Sequence, residues 1–378
     1  MEGIFRFLQH SGFANATPGH LLMIAIGLLF IYLAIRHEYE PFLLIPVGFG
    51  ILIGNTPFIE HAGLELGLYE EGSMLYFLYQ GIRSGIFPSL IFLCIGALTD
   101  FSSLIANPKL ILLGAAAQIG VFTTYIGAIT LGFTNIESAA IGIIGAANGA
   151  TAIFLASKLA PHLLAPIVIA VYFYMGLIPV IQTPIMHLLT TREERLIRMA
   201  PLRSVSKTEK IILPVIGLLL TGFIAPASIS LLGMFFLGNL LRESTVTKRL
   251  ADTIRHPLHD IVTILLGLTV GATTQARTFL SAESMYIFIL GAVAFAISTA
   301  GGILFARIMN LFLSPEQRIN PLVGAAGISA MPESARLVHQ TGLRSDPNNH
   351  LYMHALAPNV AGMTGAAVAA GIIMAFLL

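Results

Sequence analysis

The sequence predicts an all-α polytopic membrane protein, built from two inverted-topology repeats whose helices are discontinuous or re-entrant. Three observations predict this fold class: an apolar composition, charge-free runs of membrane-spanning length, and a second half that resembles the first. The runs, divided where Gly or Pro interrupts them, predict about nine to eleven membrane segments.

Composition places the chain in lipid. Hydrophobic residues make up 56% of the 378 residues and charged residues only 10%, whereas soluble domains contain roughly 25% charged residues. A water-soluble core is therefore excluded. The net charge of +1 does not indicate a nucleic-acid partner, and the single cysteine, Cys94, excludes an intrachain disulfide.

Charge-free runs recur at the length of a membrane-spanning helix, which needs about 20 residues to cross about 30 Å of hydrocarbon. Several runs exceed one crossing and contain Gly or Pro, which predicts hairpins or broken helices. The N-terminal stretch lacks the pattern of a secretory signal, so we expect the first run to be retained. The clearest runs cover residues 20–35, 110–136, 138–157, 159–190, 211–241, 284–306 and 351–378.

The second half repeats short patterns of the first in the same order, which predicts a duplicated chain. Chance similarity among small residues is the alternative. The predicted division is a first membrane repeat at residues 1–190, a basic link at 191–210 and a second membrane repeat at 211–378. The matched patterns are "ILIGN" ending at Asn55 with "FFLGN" ending at Asn239, Gly96-Ala97 with Gly271-Ala272, Gly114 with Gly291, and "IGAAN" at Gly145 with "VGAAG" at Gly324.

Loop charge predicts the orientation of the two repeats. Cytoplasmic links carry an excess of Lys and Arg, and the link at 191–210 carries six of them, so we expect it in the cytoplasm. The link after Asn239 is also basic, whereas the corresponding link after Asn55 is acidic across residues 60–71. Opposite faces for corresponding links predict an inverted repeat, in which ion and substrate sites form near mid-membrane.

Two Gly-rich stretches carry polar residues at membrane depth, where polar groups are costly and mark candidate sites. Residues 142–161 contain Asn148, and residues 319–336 contain Asn320 and Ser329. Unwound backbone there would expose carbonyl oxygens, which suit a hard cation such as sodium together with amide and hydroxyl oxygens. The alternative is close helix packing through small residues at GxxxG spacing.

Three further polar groups lie in or beside apolar runs. Tyr174 is either a proton donor or a packed aromatic, and Asp100 either acts within the membrane or reaches the headgroups. Asn359 follows Pro358, whose missing amide hydrogen leaves a helical carbonyl without its donor.

Nearly the whole chain resembles the beta subunit of the sodium-translocating oxaloacetate, methylmalonyl-CoA and glutaconyl-CoA decarboxylases. The resemblance is carried by long segments, which are more specific than any short motif. They are "EYEPFLLIPVGFGILIGN", "PSLIFLCIGALTDFSSLIANPKLILLGAAAQIGVF", "TAIFLASKLAPHLL", "VSKTEKI", "GNLLRES", "INPLVGAAGISAMPESAR" and "HALAPNVAGM".

The resemblance implies a translocase that decarboxylates carboxybiotin with a proton from the outer side and exports sodium across the inner membrane. It also implies a carboxyltransferase (alpha) subunit, a biotin carrier subunit and a small single-helix (gamma or delta) subunit as partners, with a homo-oligomer of membrane subunits possible. None of the five lysines has the flanking methionines of a biotin attachment site, so biotin belongs to another chain. Without the resemblance, a secondary transporter that exchanges sodium or protons for an organic anion fits the pattern as well.

The resemblance also implies site residues. Tyr174, Ser329 and Arg336 are the expected catalytic residues, and Arg336 and Ser329 are also expected to hold carboxybiotin, since an arginine pairs well with a carboxylate. The expected sodium site comprises Asn148, Asn320, Gly324, Asn359 and Asp100.

One position departs from the family pattern. The family's Gly-Gly-Ala-Asp-Gly-Pro is "GAANGA" at residues 145–150, so Asn148 stands where the family has a carboxylate. An amide offers an oxygen to sodium, but it neither carries a proton nor compensates the charge of the cation. Asp100 is the nearest other acid that we expect to serve.

Overall fold

A computed structural model describes residues 11–57 and 71–377, and helix is the only regular secondary structure within those stretches. The all-α prediction is therefore confirmed. The α-helices are α1 (Gly12–Asn15), α2 (Pro18–His37), α3 (Pro41–Gly54), α4 (Met74–Arg83), α5 (Ile86–Leu98), α6 (Ser102–Ala106), α7 (Ile111–Ala117), α8 (Ile119–Thr130), α9 (Asn135–Gly142), α10 (Gly149–Leu159), α11 (Leu164–Gly176), α12 (Ile178–Leu189), α13 (Arg192–Arg195), α14 (Lys207–Ile224), α15 (Ile229–Glu243), α16 (Lys248–Thr253), α17 (His259–Thr273), α18 (Ala276–Phe279), α19 (Ala282–Asn310), α20 (Leu322–Ala325), α21 (Glu333–Ser345) and α22 (Tyr352–Leu377).

Several of these helices are long and apolar enough to cross a bilayer, which makes the chain a multi-pass membrane protein. Four qualify singly: α2, the stretch Pro108–Thr130, α19 and α22. Two bent pairs, α4 with α5 at 64° and α11 with α12 at 62°, raise the number to six among the described residues. The expected nine to eleven segments are not reached by this criterion, because α3, α10 and the stretch Asn135–Ala146 are apolar but shorter.

Local sequence defines the ends of the basic link at 191–210. Thr191 and Ser206 each cap a helix, and Glu194 and Glu209 return the capping bond from the third helical position. Thr191 therefore starts the short α13, and Ser206 starts α14 four residues before the link ends. The division of the chain into two repeats around this link stays a prediction.

Segments that match between the two halves of the sequence each pack against a segment of the other half. At the end of α3, the Nδ2 of Asn55 donates to the carbonyl of Thr274, just past α17, at 2.7 Å. In α15, the Nδ2 of Asn239 donates to the carbonyl of Thr99, just past α5, at 2.8 Å. Corresponding helices thus make corresponding contacts. The inverted relation stays a prediction, since most of the acidic link at 60–71 lies outside the described residues.

Glycines allow these helix pairs to approach until their backbones touch. Gly238 of α15 lies against the carbonyl of Leu93 in α5, and Gly96 of α5 lies against the carbonyl of Phe235 in α15. A methyl group at either glycine would overlap backbone, which a rotamer change cannot relieve. Small residues thus provide the close packing that drives helix association in lipid.

Gly238→Ala is expected to destabilise the protein by about 1–3 kcal/mol through overpacking of α15 on α5. Gly233→Ala, in the same helix, is the matched control, because a methyl group there meets neighbours only at ordinary van der Waals distance. The control should leave stability unchanged or raise it by about 0.5–1 kcal/mol, as Ala usually does in a helix. Thermal unfolding in detergent measures both; equal effects would contradict this account of the contact.

Candidate functional site

The first candidate site lies where the helix that begins at Asn135 breaks. After α9 and a tight turn at Ile143–Ala146, Ala147 adopts a left-handed conformation with φ 54°, and α10 starts afresh. Asn148 caps α10, because its Oδ1 accepts a hydrogen bond from the Thr151 amide at 3.0 Å. The Asn148 oxygen is therefore held at the positive N-terminal end of a helix, inside the protein.

A second break lies between α20 and α21, and buried amides satisfy the carbonyls that it frees. The Nδ2 of Asn359 donates to the carbonyls of Ala326 at 3.1 Å and Ile328 at 2.8 Å. The Nε2 of Gln182 donates to the carbonyl of Ala325 at 2.9 Å. Every buried carbonyl needs a hydrogen-bond partner, and these side-chain amides provide partners for the unwound backbone within the protein.

The two breaks meet. The backbone N–H of Ser329 donates to the carbonyl of Ala146 at 3.1 Å, so the two polar stretches predicted from the sequence form one centre. Close packing is present as well: Gly145 lies against Gly120, and Gly324 lies against Gly302. The glycines therefore bring the backbones together, and the breaks leave polar groups beside them; a sodium site there stays a prediction.

A cavity of about 470 Å³ lies beside this junction. Asn148 and Ser329 line it on the side of the two breaks, and Glu40 and Asp100 line it where the chain leaves α2 and α5. The Oγ of Ser329 is buried and has no hydrogen-bond partner among the described residues. The cavity thus combines an amide oxygen, a free hydroxyl and two carboxylates between largely apolar walls.

Asp100 is held by cations and by a turn. Its Oδ1 accepts hydrogen bonds from the N–H and Oγ of Ser102, and Lys210 and Arg242 approach its carboxylate to 3.8 and 3.6 Å. Burial alone would raise the pKa of Asp100, but these hydrogen bonds and cations outweigh it and lower the pKa. Asp100 is therefore an ionised, paired carboxylate at neutral pH.

Glu40 was missed by the sequence analysis. It precedes Pro41 at the start of α3 and lies near Glu333 and Arg336 of α21. Burial and the Glu333 carboxylate raise the pKa of Glu40, and Arg336 opposes them. The only sequence signal was an acid directly before a charge-free run, and nothing in the sequence placed it beside Asn148.

Tyr174 and Arg336 do not line the cavity. The hydroxyl of Tyr174 donates to the carbonyl of Phe288 at 2.7 Å, whereas the ring of Tyr172 lies against Gly149 and does line the cavity. Arg336 is 57% exposed and pairs with Glu333 at 2.7 Å. Reaching an anion in the cavity requires the Arg336 side chain to change partners.

Asn320 and Gly324 also lie outside the cavity. The Nδ2 of Asn320 donates to the carbonyls of Arg195 and Ile197 at 3.0 and 2.9 Å, and its Oδ1 accepts from the Leu322 amide. Asn320 therefore ties the basic link to the start of α20. The structure brings together Asn148, Ser329 and Asp100, with Asn359 behind them, and it places Asn320, Gly324, Tyr174 and Arg336 elsewhere.

The family of the chain follows from comparison with known proteins. A family model described as Na+-transporting oxaloacetate decarboxylase beta subunit matches residues 19–377, which is nearly the whole chain. The chain belongs to this family. Within this beta-subunit family, the match spans both broken segments, the basic link between them and every residue that lines the cavity.

Curated relatives agree along their full length. The methylmalonyl-CoA decarboxylase subunit beta of Propionigenium modestum is 50% identical and aligns over 99% of both chains. The glutaconyl-CoA decarboxylase subunit beta of Acidaminococcus fermentans is 46% identical over 98% of this chain and 96% of its own. The oxaloacetate decarboxylase beta chain 2 of Salmonella typhi is 43% identical over 100% of both. The similarity thus extends along the whole length of beta subunits whose names specify three different substrates.

Asn320→Ala is expected to loosen the basic link and to leave sodium affinity unchanged, because its amide is committed to the Arg195 and Ile197 carbonyls. Asn349→Ala is the matched control, since Asn349 donates to the same two carbonyls at 2.9 and 3.3 Å. Each variant should lose about 0.5–1.5 kcal/mol for the lost hydrogen bonds, because the other asparagine still donates to both carbonyls. Thermal unfolding and sodium titration measure the two effects. A shift of sodium affinity in Asn320→Ala alone would instead support its sequence-based assignment as a ligand.

Proposed function

We propose that the chain is the membrane subunit of a biotin-dependent decarboxylase of the inner membrane, which decarboxylates carboxybiotin and couples this reaction to sodium export with proton uptake. One observation supports it above all. In a member of the Na+-transporting decarboxylase beta family, two broken segments meet at a cavity that holds a free hydroxyl at Ser329 and an amide oxygen at Asn148. Discontinuous helices of this kind form ion and substrate sites near mid-membrane.

In the proposed reaction, the bond between the ureido nitrogen of biotin and its carboxyl carbon breaks. The carboxylate leaves as carbon dioxide. The nitrogen keeps the electron pair of the broken bond and takes up one proton. Ser329 is the hydroxyl that is free to donate to this nitrogen, since its Oγ has no other partner among the described residues. Tyr174 would supply a proton only after leaving the Phe288 carbonyl.

Arg336 is the proposed partner of the carboxybiotin carboxylate. A guanidinium binds a carboxylate through two parallel hydrogen bonds, and Arg336 lies near Glu40, which lines the cavity. In the structure Arg336 is paired with Glu333, so substrate binding exchanges one carboxylate partner for another. Substrate binding is thereby linked to the breaking of an ion pair within α21.

Sodium is the proposed cargo, with oxygen ligands at the two breaks. Asn148 offers its Oδ1 at the cavity wall, and the Oδ1 of Asn359 is buried without a partner among the described residues. Amide, hydroxyl and backbone oxygens suit a hard monovalent cation. Asp100 lines the same cavity but is already paired with Lys210 and Arg242.

The proposed partners supply the rest of the reaction. A biotin carrier subunit brings carboxybiotin, a carboxyltransferase (alpha) subunit forms it from the acid, and a small single-helix (gamma or delta) subunit completes the membrane part. The relatives' names support this division, because each is the beta subunit or beta chain of a decarboxylase. The acid consumed is then chosen by another subunit.

The assembled complex in proteoliposomes tests the function. We expect carbon dioxide release and uptake of radioactive sodium to occur together when the acid substrate or free carboxybiotin is supplied. A sodium ionophore should dissipate the sodium gradient that opposes transport. Decarboxylation should then become faster, and sodium should no longer accumulate in the vesicles. Flux of an organic anion without decarboxylation would contradict the proposal and support a secondary transporter instead.

Asn148→Asp is expected to lower the half-saturating sodium concentration about tenfold, which corresponds to about 1.4 kcal/mol, because a carboxylate compensates the cation's charge. Asp also caps helices well, so α10 should stay intact. Asn148→Ala, the control, loses both the cap and the oxygen and should bind sodium more weakly. Sodium titration of decarboxylation measures all three proteins; identical affinities in wild type and Asn148→Asp would exclude Asn148 from the sodium site.

A further inference from the structure

A cation in the cavity beside the two breaks needs a negative charge close to it. Moving an unpaired cation from water into an apolar surrounding costs several kcal/mol or more, and neutral oxygens such as that of Asn148 repay only part of this. Among the described residues that line the cavity, the acids are Glu40 and Asp100. These two carboxylates are therefore the candidates for compensating the charge.

Asp100 is poorly suited to this role, since it is already neutralised. Two cations, Lys210 and Arg242, lie within 4 Å of its carboxylate, and Ser102 donates two hydrogen bonds to it. A third cation would have to compete with both side chains. Asp100 is better explained as the residue that ties α14 and α15 to the end of α5.

Glu40 is not neutralised in this way. Arg336 is the cation that acts on it electrostatically, and Arg336 is itself paired with Glu333 at 2.7 Å. Among the described residues no hydrogen bond reaches the Glu40 carboxylate. The cavity therefore holds one carboxylate that has no ion pair or hydrogen bond of its own among the described residues and is available to a cation.

The backbone at Glu40 is also strained. Its φ of 40° lies in the left-handed region, which is costly for a residue other than Gly. Ala147, at the first break, is in the same region and lines the same cavity. Strained residues of this kind are held by the surrounding structure and concentrate at functional sites. The left-handed conformation of Glu40 sets the direction in which the chain enters α3, and with it the side of the cavity on which the carboxylate lies.

Tyr172 connects Glu40 with the breaks. Its ring lies against Gly149, next to Asn148, and its hydroxyl interacts electrostatically with the Glu40 carboxylate. All four residues line the cavity. Tyr172 thus lies in the part of the cavity wall that connects Glu40 with Asn148.

We propose that Glu40 is the carboxylate that binds sodium in the cavity in exchange for a proton. The exchange is balanced: Glu40–COOH and Na+ give Glu40–COO⁻·Na+ and H+. This inference deepens the proposed function and rests on it. It supplies at Glu40 the negative charge that the amide of Asn148 lacks.

Sodium and protons should compete at this site. The groups that face Glu40 are Glu333 and Arg336 from α21 and Tyr172 from α11, and Asp100 and His259 are the further titratable groups among the lining residues. Because burial and Glu333 raise the pKa of Glu40, its protonated form persists to higher pH than that of an ordinary glutamate. Sodium should then bind less well as the pH falls through that raised pKa, by up to about tenfold per pH unit.

Sodium-dependent stabilisation of the purified full chain tests this directly. We would measure the melting temperature in detergent against NaCl, with choline chloride as the ionic-strength control, at pH 6, 7 and 8. The wild type should show a half-saturating sodium concentration that rises as the pH falls. Glu40→Gln should raise that concentration at least tenfold and remove its pH dependence. Glu38→Gln is the matched control, because Glu38 is exposed and also has a positive φ, and it should behave like wild type.

Glu40→Asp, which keeps the charge on a shorter side chain, should retain the pH dependence with weaker sodium binding, and it serves if Glu40→Gln does not fold. Unchanged sodium binding in Glu40→Gln, or a loss of the pH dependence in Asp100→Asn instead, would overturn the assignment of Glu40. If the assembled wild-type complex still couples decarboxylation to sodium uptake in that case, the proposed function stands without it. If that complex fails to decarboxylate carboxybiotin, the proposed function itself is wrong.

Discussion

The structure depends on the hydrogen bond from the backbone N–H of Ser329 to the carbonyl of Ala146, where two broken segments meet inside the protein. Breaking a helix at membrane depth frees carbonyls and amides that lipid cannot satisfy. The two breaks partly solve this for each other, and Asn359 and Gln182 satisfy the rest from neighbouring helices. Polar backbone becomes tolerable only because both breaks lie at the same place.

Glycine makes that meeting possible. The turn before the first break rests on Gly120 through Gly145, and the helix before the second rests on Gly302 through Gly324. A side chain at any of these positions would hold the backbones apart. The same small residues that suggest mere packing in the sequence therefore also bring the two breaks together, so close packing and a site at the breaks are compatible in this fold.

The sequence predicted what depends on composition and local pattern. Charge-free runs gave the membrane helices, and Gly-rich polar stretches located both breaks, at Asn148 and Ser329. What the sequence could not indicate are contacts with partners distant in the chain. Asn320 looked like a ligand, but its amide holds the basic link through the Arg195 and Ile197 carbonyls, and nothing local to residue 320 indicates that contact.

The surroundings of Glu40 could not be predicted from the sequence for the same reason. In the sequence Glu40 is one of two acids in the short connection between α2 and α3, and its environment is made by Glu333 and Arg336, which lie far along the chain. Two acids sharing one arginine leave a surplus negative charge beside the cavity. With an amide at residue 148, such a charge elsewhere in the cavity favours cation binding, because it offsets part of the cost of removing water from an ion. The amide at the first break and the surplus carboxylate at the entry of α3 are therefore parts of one electrostatic arrangement.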